Sequence, residues 1–323
     1  MREDLLTLFF LRGLTGLFLQ FDFRNEVKVR QDVAMSTNTI TKPAIEISGL
    51  TKQYGQKMAV DGIDLTVYQG EIFALLGPNG AGKTTTVEIL EGFRNLTGGK
   101  VKVLDFDPAT KGEDGRKWRN KIGIVLQSTT DAADLSVQET VEHFSHYYEN
   151  PRNVDEVIDE VGLREKAKEL ARNLSGGQRR RLDVALGIIG SPELLFLDEP
   201  TTGFDPEARR AFWDLLNKLR SEGTTIFLTT HYLDEAEALA DRVGVIANGK
   251  IIEIATPATL GDRGNAPARI TWLENGQITE LETAEPTAEL KKLSARFNGE
   301  IPQLQVIRPN LEDIYLRMIG ENR

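Results

Sequence analysis

The stretch GPNGAGKT, residues Gly77–Thr84, decides how the rest of the sequence is interpreted. It fits the pattern of a glycine, any four residues, then Gly-Lys followed by Ser or Thr. The apolar run EIFALLG leads into it, and KTTTVEILEGF, a run compatible with a helix, follows from Lys83. Between a strand and a helix, such a loop turns successive backbone N–H groups and the positive helix N-terminus toward phosphate oxygens. The stretch therefore predicts a nucleoside triphosphate site.

The residues of this loop have separate predicted roles. We expect the Lys83 side chain to bridge phosphate oxygens and the Thr84 hydroxyl to coordinate Mg²⁺. A glycine loop that binds nothing is the alternative, which the flanking strand and helix disfavour. The predicted nucleotide-binding residues of the loop are Gly77, Pro78, Asn79, Gly80, Ala81, Gly82, Lys83, Thr84 and Thr85.

A second chemical motif is LLFLDEP, residues Leu194–Pro200, in which two carboxylates end an apolar strand. Carboxylates are costly to bury without a partner, so this pair is a poor choice for a core. Asp198 is suited to hold Mg²⁺, and Glu199 to accept the proton of an attacking water. A solvated pair of acids at a strand end is the alternative, which a complete phosphate loop in the same chain disfavours.

The order of apolar runs predicts an α/β fold. After Ala44, short alternating strands indicate an antiparallel portion, and from about 128 to 173 helical spacing replaces them, starting with the capping pattern SVQE. The later runs LLFLD, TTIFLTT and RVGVIA alternate with helix-like segments, as in a mainly parallel sheet covered on both faces. We expect an extension at 1–43, a nucleotide-binding domain at 44–256 that contains the helical insertion, and a small α+β unit at 257–323.

The N-terminal run LLTLFFLRGLTGLFLQF, residues 5–21, is apolar but is interrupted by Arg12 and by glycines. It is short for a membrane-spanning helix, and the residues before it do not resemble a signal peptide. Because Met35 opens the polar stretch that precedes the first strand, we interpret residues 1–34 as an upstream over-extension of the reading frame. A helix lying in the membrane interface is the alternative.

The 323-residue chain has a formal net charge of -10 and contains no cysteine. A negative field repels phosphate backbones, so nucleic acid is not an expected partner. The lack of cysteine excludes disulfides, thiolate metal sites and cysteine nucleophiles. The basic run Arg179–Arg181 points in three directions on a helix, so we interpret it as local helix-surface and interface charge rather than as a nucleic-acid-binding face.

Another glycine-rich turn, LSGGQ at residues 174–178, follows the helical segment. Together with the two motifs above, it resembles the ATP-binding subunits of ABC transporters, over about residues 44–256, and this implies the P-loop NTPase fold of an ABC cassette. Ser175 and the glycines are expected to open a helix whose N-terminus attracts anionic oxygen. The resemblance implies that this signature turn closes over the ATP of a second copy. The signature residues are Leu174, Ser175, Gly176, Gly177 and Gln178.

The resemblance also implies roles for single residues. Gln127 matches the residue that senses Mg²⁺ and the attacking water, and His231 matches the switch histidine that orients the γ-phosphate. Tyr54 matches the aromatic that stacks on adenine. Asp205 matches the carboxylate at the dimer seam, although Phe204 stands before it in place of the usual leucine. The implied catalytic residues are Glu199, His231 and Gln127, and the implied metal ligands are Thr84, Gln127 and Asp198.

The function implied is that of a peripheral ATPase subunit. PTTGFDP, TTHYLDEAE and the tail RPNLEDIYLRMIG resemble the ATPases of ABC-2 type exporters, including the bacterial drug and antibiotic resistance group. This implies ATP and Mg²⁺ as cofactors, an ATP-bound homodimer and a separate ABC-2 type transmembrane permease at the cytoplasmic face of the membrane. A non-transport ABC ATPase that acts on ribosomes or DNA is the alternative. Regulation by the C-terminal unit is a third possibility.

Overall fold

The computed structural model describes residues 42–125, 134–297 and 299–321. The interpretation of residues 1–34 and the role implied for Gln127 concern positions outside these ranges. Within them, no helix combines the length and the apolar character that crossing a bilayer requires. The described strands are β1 (Pro43–Tyr54), β2 (Lys57–Tyr68), β3 (Ile72–Leu76), β4 (Gly98–Val103), β5 (Ile122–Val125), β6 (Leu194–Asp198), β7 (Thr225–Thr230), β8 (Arg242–Ala247), β9 (Lys250–Ala255), β10 (Ala268–Glu274), β11 (Gln277–Thr283) and β12 (Gln305–Ile307). The described α-helices are α1 (Lys83–Leu90), α2 (Gly112–Arg119), α3 (Val137–Ser145), α4 (Val154–Glu160), α5 (Gly176–Ile188), α6 (Pro206–Ser221), α7 (Leu233–Leu239), α8 (Pro286–Phe297) and α9 (Leu311–Glu321).

Six strands form the central sheet, in the order β5-β6-β7-β3-β8-β9. Neighbouring strands are parallel except for β9, which pairs antiparallel with β8. The strands β3 and β6, with the sequences IFALL and LLFLD, are buried along their whole length. Continuous apolar strands are typical of a parallel sheet that is covered on both faces. The predicted α/β class and the mainly parallel sheet are confirmed.

Successive residues of β3 enter two different cores, because side chains alternate across a strand. Ile72 and Leu76 belong to a core that includes buried residues of α5 and α6. Phe73 belongs to a second core, which includes buried residues of α1 and β1. Its ring stacks on that of Phe227 in β7, with 5.6 Å between the ring centroids. The sheet is therefore packed on both of its faces.

The strand order places three loops side by side. The strands β6, β7 and β3 are consecutive and parallel, so their carboxyl ends lie along one edge of the sheet. The phosphate loop follows β3, Asp198 and Glu199 come at the end of β6, and His231 follows β7. In open α/β sheets, ligands bind outside the carboxyl ends of the strands. The candidate site therefore lies at this edge.

A three-stranded antiparallel sheet, β2-β1-β4, lies against the phosphate loop. The Gly249 N–H donates to the Ala81 carbonyl at 2.9 Å, and the Asp61 N–H donates to the Gly249 carbonyl at 2.8 Å. These two bonds join the loop, the β8–β9 turn and the strand β2. The predicted antiparallel portion is thus present, and its strand β2 is linked to the phosphate loop through the β8–β9 turn.

In the segment between β5 and β6, the first described helix is α3. Ser136 Oγ accepts from the Glu139 N–H at 3.2 Å, and Glu139 Oε2 accepts from the Ser136 N–H at 2.9 Å. This is the capping box that SVQE predicted. The buried Val137 and Val141 of α3 belong to the same core as residues of α4 and α5. The helices of this segment therefore share a core with the signature helix.

The C-terminal part contains a sheet of its own, in the order β11-β10-β12. The helix α8 packs on this sheet through Leu293, which forms a small core with Ile270 and Trp272. The last helix, α9, does not join this small core. Its residues Leu311 and Ile314 are buried in the core that also includes residues of α5 and α6. The end of the chain therefore contributes to the packing around the central sheet, and the domain division drawn after residue 256 stays a prediction.

Glu91, which caps the C-terminus of α1, is a carboxyl group with 5% of its surface exposed. Burial raises the pKa of Glu91 to about 8, and the charges of Asp198 and Glu88 act in the same direction. Because the folded pKa is higher than the unfolded one, the folded chain keeps a proton that the unfolded chain releases. This contribution to stability is fully present below the unfolded pKa and is lost as the pH rises through the folded pKa.

We expect the melting temperature of the wild-type protein to fall more steeply than that of Glu91→Gln from about pH 6 to about pH 9, because glutamine stays neutral. The largest slope that one such group produces is about 1.4 kcal/mol per pH unit. Thermal denaturation across this range measures the difference, and the exposed Glu142→Gln is a control that should keep the wild-type slope. Equal slopes for the wild type and Glu91→Gln would contradict a neutral Glu91.

Candidate nucleotide-binding and catalytic site

The phosphate loop connects β3 to α1, as predicted. Gly82 precedes the helix with a φ of 109°, a conformation in which other residues are strained. A Cβ at Gly82 would lie 2.5 Å from the Ala59 carbonyl oxygen, so only glycine fits there. Gly77 is buried at the start of the loop, whereas Asn79 and Gly80 are exposed at its tip. The main chain of the loop can therefore approach an anion closely.

The Lys83 ammonium lies inside this loop, and 5% of the residue is exposed. Its Nζ donates to the Gly77 carbonyl at 2.8 Å and lies 3.6 Å from Glu199 Oε1. Burial lowers the pKa of Lys83, and the negative charges of Glu199 and Asp198 partly oppose this shift. A buried cation at the base of a loop of backbone N–H groups attracts a polyanion such as a triphosphate.

Asp198 and Glu199 are oriented by a residue of the neighbouring strand, Thr229. Its hydroxyl donates to Asp198 Oδ1 and accepts from the Glu199 N–H at 3.2 Å. Glu199 Oε1 also lies 3.2 Å from His231 Nδ1. The structure thus brings together the two acids and the histidine that the sequence singled out. Thr229 could not be identified from the sequence, because it lies some 30 residues away from both acids in the chain.

The loop and the acids line one cavity of 460 Å³, a volume that suits a small-molecule cofactor. Tyr54, at the end of β1, lines the same cavity, and 41% of it is exposed. Lys52 Nζ and Arg94 Cζ lie 5.1 Å and 5.7 Å from the centroid of the Tyr54 ring. An aromatic face therefore lies beside the phosphate loop. The lining residues from the loop itself are Asn79, Gly80, Gly82, Lys83, Thr84 and Thr85.

Two of the predicted Mg²⁺ ligands, Thr84 and Asp198, line this cavity. Mg²⁺ binds through one or two protein oxygens together with substrate phosphates and water. A hydroxyl and a carboxylate beside a phosphate loop are donors of this kind, so the residues present fit the ion. The third predicted ligand, Gln127, lies outside the described residues.

The LSGGQ turn opens the helix α5, as predicted, with Ser175 at the N-cap. Ser175 Oγ accepts from the Gln178 N–H at 3.3 Å, and Gln178 Oε1 accepts from the Ser175 N–H at 3.0 Å. Gly176 is exposed, and N–H groups of a first helical turn have no acceptor within their helix. In the part of the chain that the structure describes, no residue of 174–178 lines the 460 Å³ cavity. The turn lies outside the cavity of its own chain.

Asp205 caps the N-terminus of α6, where its Oδ1 accepts from the Ala208 N–H at 2.8 Å. The residue before it, Phe204, is buried and packs edge-on against Phe212, with 5.7 Å between the centroids. The core therefore accommodates the phenylalanine that replaces leucine. Asp205 itself is exposed, and its place at a dimer seam remains a prediction.

The structure corrects the interpretation of the basic run for one of its members. Arg180 is buried, with 7% of its surface exposed, and is not helix-surface charge. Its Nη2 donates to the Asp198 carbonyl at 2.7 Å, and its Nε donates to the Pro200 carbonyl at 3.0 Å. One sequence signal was available, since Arg180 shares a helix face at four-residue spacing with the buried Val184 and Ile188.

Sequence comparison places the chain in a known family. The family model described as "ABC transporter" matches residues 60–202. The daunorubicin resistance ATP-binding protein DrrA3 of Streptomyces coeruleorubidus is 35% identical over 309 residues, which cover 87% of this chain and 97% of the relative. The Nod factor export ATP-binding protein I of Rhizobium sp. (strain N33) is 35% identical over 302 residues, which cover 87% and 98%.

Structural comparison agrees. The structure of cbiO1 from Clostridium perfringens, part of the ABC transporter complex cbiONQ, is 28% identical and has a TM-score of 0.61, covering 67% of this chain and 89% of that chain. The chain therefore belongs to the family of ABC transporter ATP-binding proteins. It is an ABC-type ATPase, and the resemblance drawn from its motifs is confirmed.

We expect Lys83→Ala to weaken ATP binding by about 10- to 100-fold, because it removes a charged hydrogen-bond donor from the phosphate loop. Equilibrium titration with a fluorescent ATP analogue measures the change. The exposed Lys292→Ala removes the same charge from α8, which packs on the C-terminal sheet, and should keep the wild-type affinity. Wild-type affinity in Lys83→Ala would remove this residue from the site.

Proposed function

We propose that this chain is the ATP-hydrolysing subunit of an ABC-2 type membrane exporter. The observation that carries the proposal is the single cavity where the phosphate loop, Lys83 and Glu199 meet, with the LSGGQ turn outside it. The cavity has the groups needed to bind and hydrolyse ATP. It lacks the second helix N-terminus that the family supplies, and a second copy of the chain provides one.

Each group in the cavity has a role in the proposed hydrolysis. The Lys83 ammonium, which is paired with Glu199 in the structure, turns toward the phosphates when ATP binds. The Glu199 carboxylate can then accept a proton from the attacking water. His231, in contact with Glu199, orients the carboxylate and the γ-phosphate. Thr84 and Asp198 would hold Mg²⁺, which would neutralise charge on the phosphates. Gln127 keeps the role that the resemblance implies.

The adenine ring is proposed to stack on Tyr54. The Tyr54 ring lines the same cavity as the phosphate loop, so one nucleotide reaches both. Lys52 and Arg94 lie within cation–π distance of this ring. A bound base therefore shares the ring with these cations or displaces one of them.

We infer that ATP closes a homodimer. In a head-to-tail pair, the LSGGQ turn of each chain meets the nucleotide in the phosphate loop of the other, and its first-turn N–H groups face the γ-phosphate. The exposed Asp205 lies at the seam between the chains. Hydrolysis removes the phosphate that bridges them, so closure is reversible.

Export through a separate permease is proposed from the relatives, which are named for daunorubicin resistance and for Nod factor export. In this proposal the chain binds an ABC-2 type permease at the cytoplasmic face of the membrane, and dimer closure drives that permease. Drug or antibiotic efflux is the transport activity that we propose.

We expect Glu199→Gln to bind ATP with wild-type affinity, to hydrolyse it at least about 100-fold more slowly and to accumulate as an ATP-bound dimer. Glutamine keeps the shape of the side chain but cannot accept the proton. Phosphate-release assays and size-exclusion chromatography with ATP measure both effects. Glu282→Gln, an exposed acid on β11, is the control and should turn over normally. Hydrolysis near the parent rate would exclude Glu199 as the base.

The permease partner is tested with the same variant. We expect tagged Glu199→Gln, locked with ATP and extracted in detergent, to retain a stoichiometric multi-span membrane protein that mass spectrometry identifies. Lys83→Ala is the matched control, since weak ATP binding should reduce the ATP-dependent retention. Recovery of ribosomes or DNA-associated proteins in place of a permease would favour the non-transport alternative.

A further inference from the structure

Arg180 connects the signature helix to the backbone on both sides of Glu199. It lies on α5, five residues after Ser175, so it is less than two helical turns from the N-cap. The two carbonyls that accept from its guanidinium belong to Asp198 and Pro200, the residues immediately before and after Glu199. A contact of this kind fixes the position of the Glu199 backbone relative to α5.

The Glu199 backbone needs such support. Its φ is 44°, in the left-handed region that costs other residues than glycine about 1 kcal/mol or more. On the side of the central sheet, its N–H donates to the carbonyl and the hydroxyl of Thr229 at 3.1 and 3.2 Å. On the side of α5, Arg180 holds the flanking carbonyls. The Glu199 carboxylate therefore extends from a residue whose strained backbone is held by hydrogen bonds from two elements, β7 and α5.

The side chain of Arg180 is suited to transmit a displacement. Its guanidinium is planar and rigid, and here Nη2 and Nε donate to two different carbonyls. It is buried, so water does not replace these bonds readily. Ser175 and Arg180 belong to one continuous helix, whose following turns are packed by buried residues such as Val184 and Ile188. A shift of the LSGGQ turn therefore reaches the carbonyls that flank Glu199.

We propose that Arg180 is a positioning residue that couples the two ATP sites of the dimer. When the LSGGQ turn of one chain docks on the nucleotide of the second copy, Arg180 sets the Glu199 carboxylate in the chain that supplied the turn. Engagement at one site thus prepares the base at the other. This inference rests on the proposed ATP-bound homodimer.

Arg180→Lys tests the role because lysine keeps the charge but lacks the fork that holds two carbonyls. We expect the maximal ATPase rate to fall by about tenfold or more, since small displacements of a base are costly, with the ATP concentration for half-maximal rate unchanged. Arg181→Lys, on the same helix and only partly buried, is the matched control and should keep the wild-type rate. A wild-type rate in Arg180→Lys would overturn the proposal.

Mixed dimers separate this role from a general effect on the signature helix. In the first mixture, Arg180→Lys chains are combined with an excess of Glu199→Gln chains, so hydrolysis depends on the base beside the altered Arg180. In the second, wild-type chains are combined with an excess of chains that carry both substitutions, so hydrolysis depends on an intact base and an altered signature helix. The reference is wild type with an excess of Glu199→Gln.

We expect the rate per chain with an intact Glu199 to fall in the first mixture and to match the reference in the second. A loss confined to the second mixture, or an equal loss in both, would overturn the proposal, because Arg180 would then act through the signature or through folding. Hydrolysis by Glu199→Gln alone would contradict the role of Glu199 as the base, and a failure of the chains to pair with ATP would contradict the proposed dimer. The inference would fall with either.

Discussion

The parallel pairing of β6, β7 and β3 is the constraint on which the site depends. Because these strands are neighbours and run in one direction, the residues that follow them emerge at the same edge of the sheet. The phosphate loop, the acids Asp198 and Glu199, and His231 come from positions more than a hundred residues apart in some cases. A change in strand order would separate them.

This strand order also brings opposite charges together at the carboxyl edge of the sheet, where they compensate one another. The site brings a buried ammonium, two carboxylates and an imidazole together, and the Lys83–Glu199 and His231–Glu199 contacts tie them into one network. The pKa of Lys83 is lowered by burial in spite of its acidic neighbours. The site thus places a buried cation next to a carboxylate, and in the proposed hydrolysis the carboxylate becomes available when the cation turns to the phosphates.

The second glycine-rich turn is held by the same core. Its helix, α5, packs through Val184 and Ile188 into the core that also contains the helices α3 and α4. Arg180 then links this helix to the end of β6. The signature and the proposed base of one chain are mechanically connected, although they face different nucleotides in the proposed dimer. In the proposed dimer, this connection is what couples the ATP site of one chain to contact with the other.

The sequence by itself determined the features that depend on neighbouring residues. The phosphate loop, the acids at the end of β6 and the helix start at Ser175 are local patterns, because phosphate binding and helix capping use consecutive groups of the chain. The contacts of Thr229 and Arg180 were decided only by the tertiary structure. Thr229 depends on which strand lies beside β6, and Arg180 depends on how α5 packs against that strand's end, so neither has a local pattern of its own. Arg180 belongs to a basic run that looks solvated in the sequence, but it is buried and links the signature helix to the backbone on both sides of Glu199.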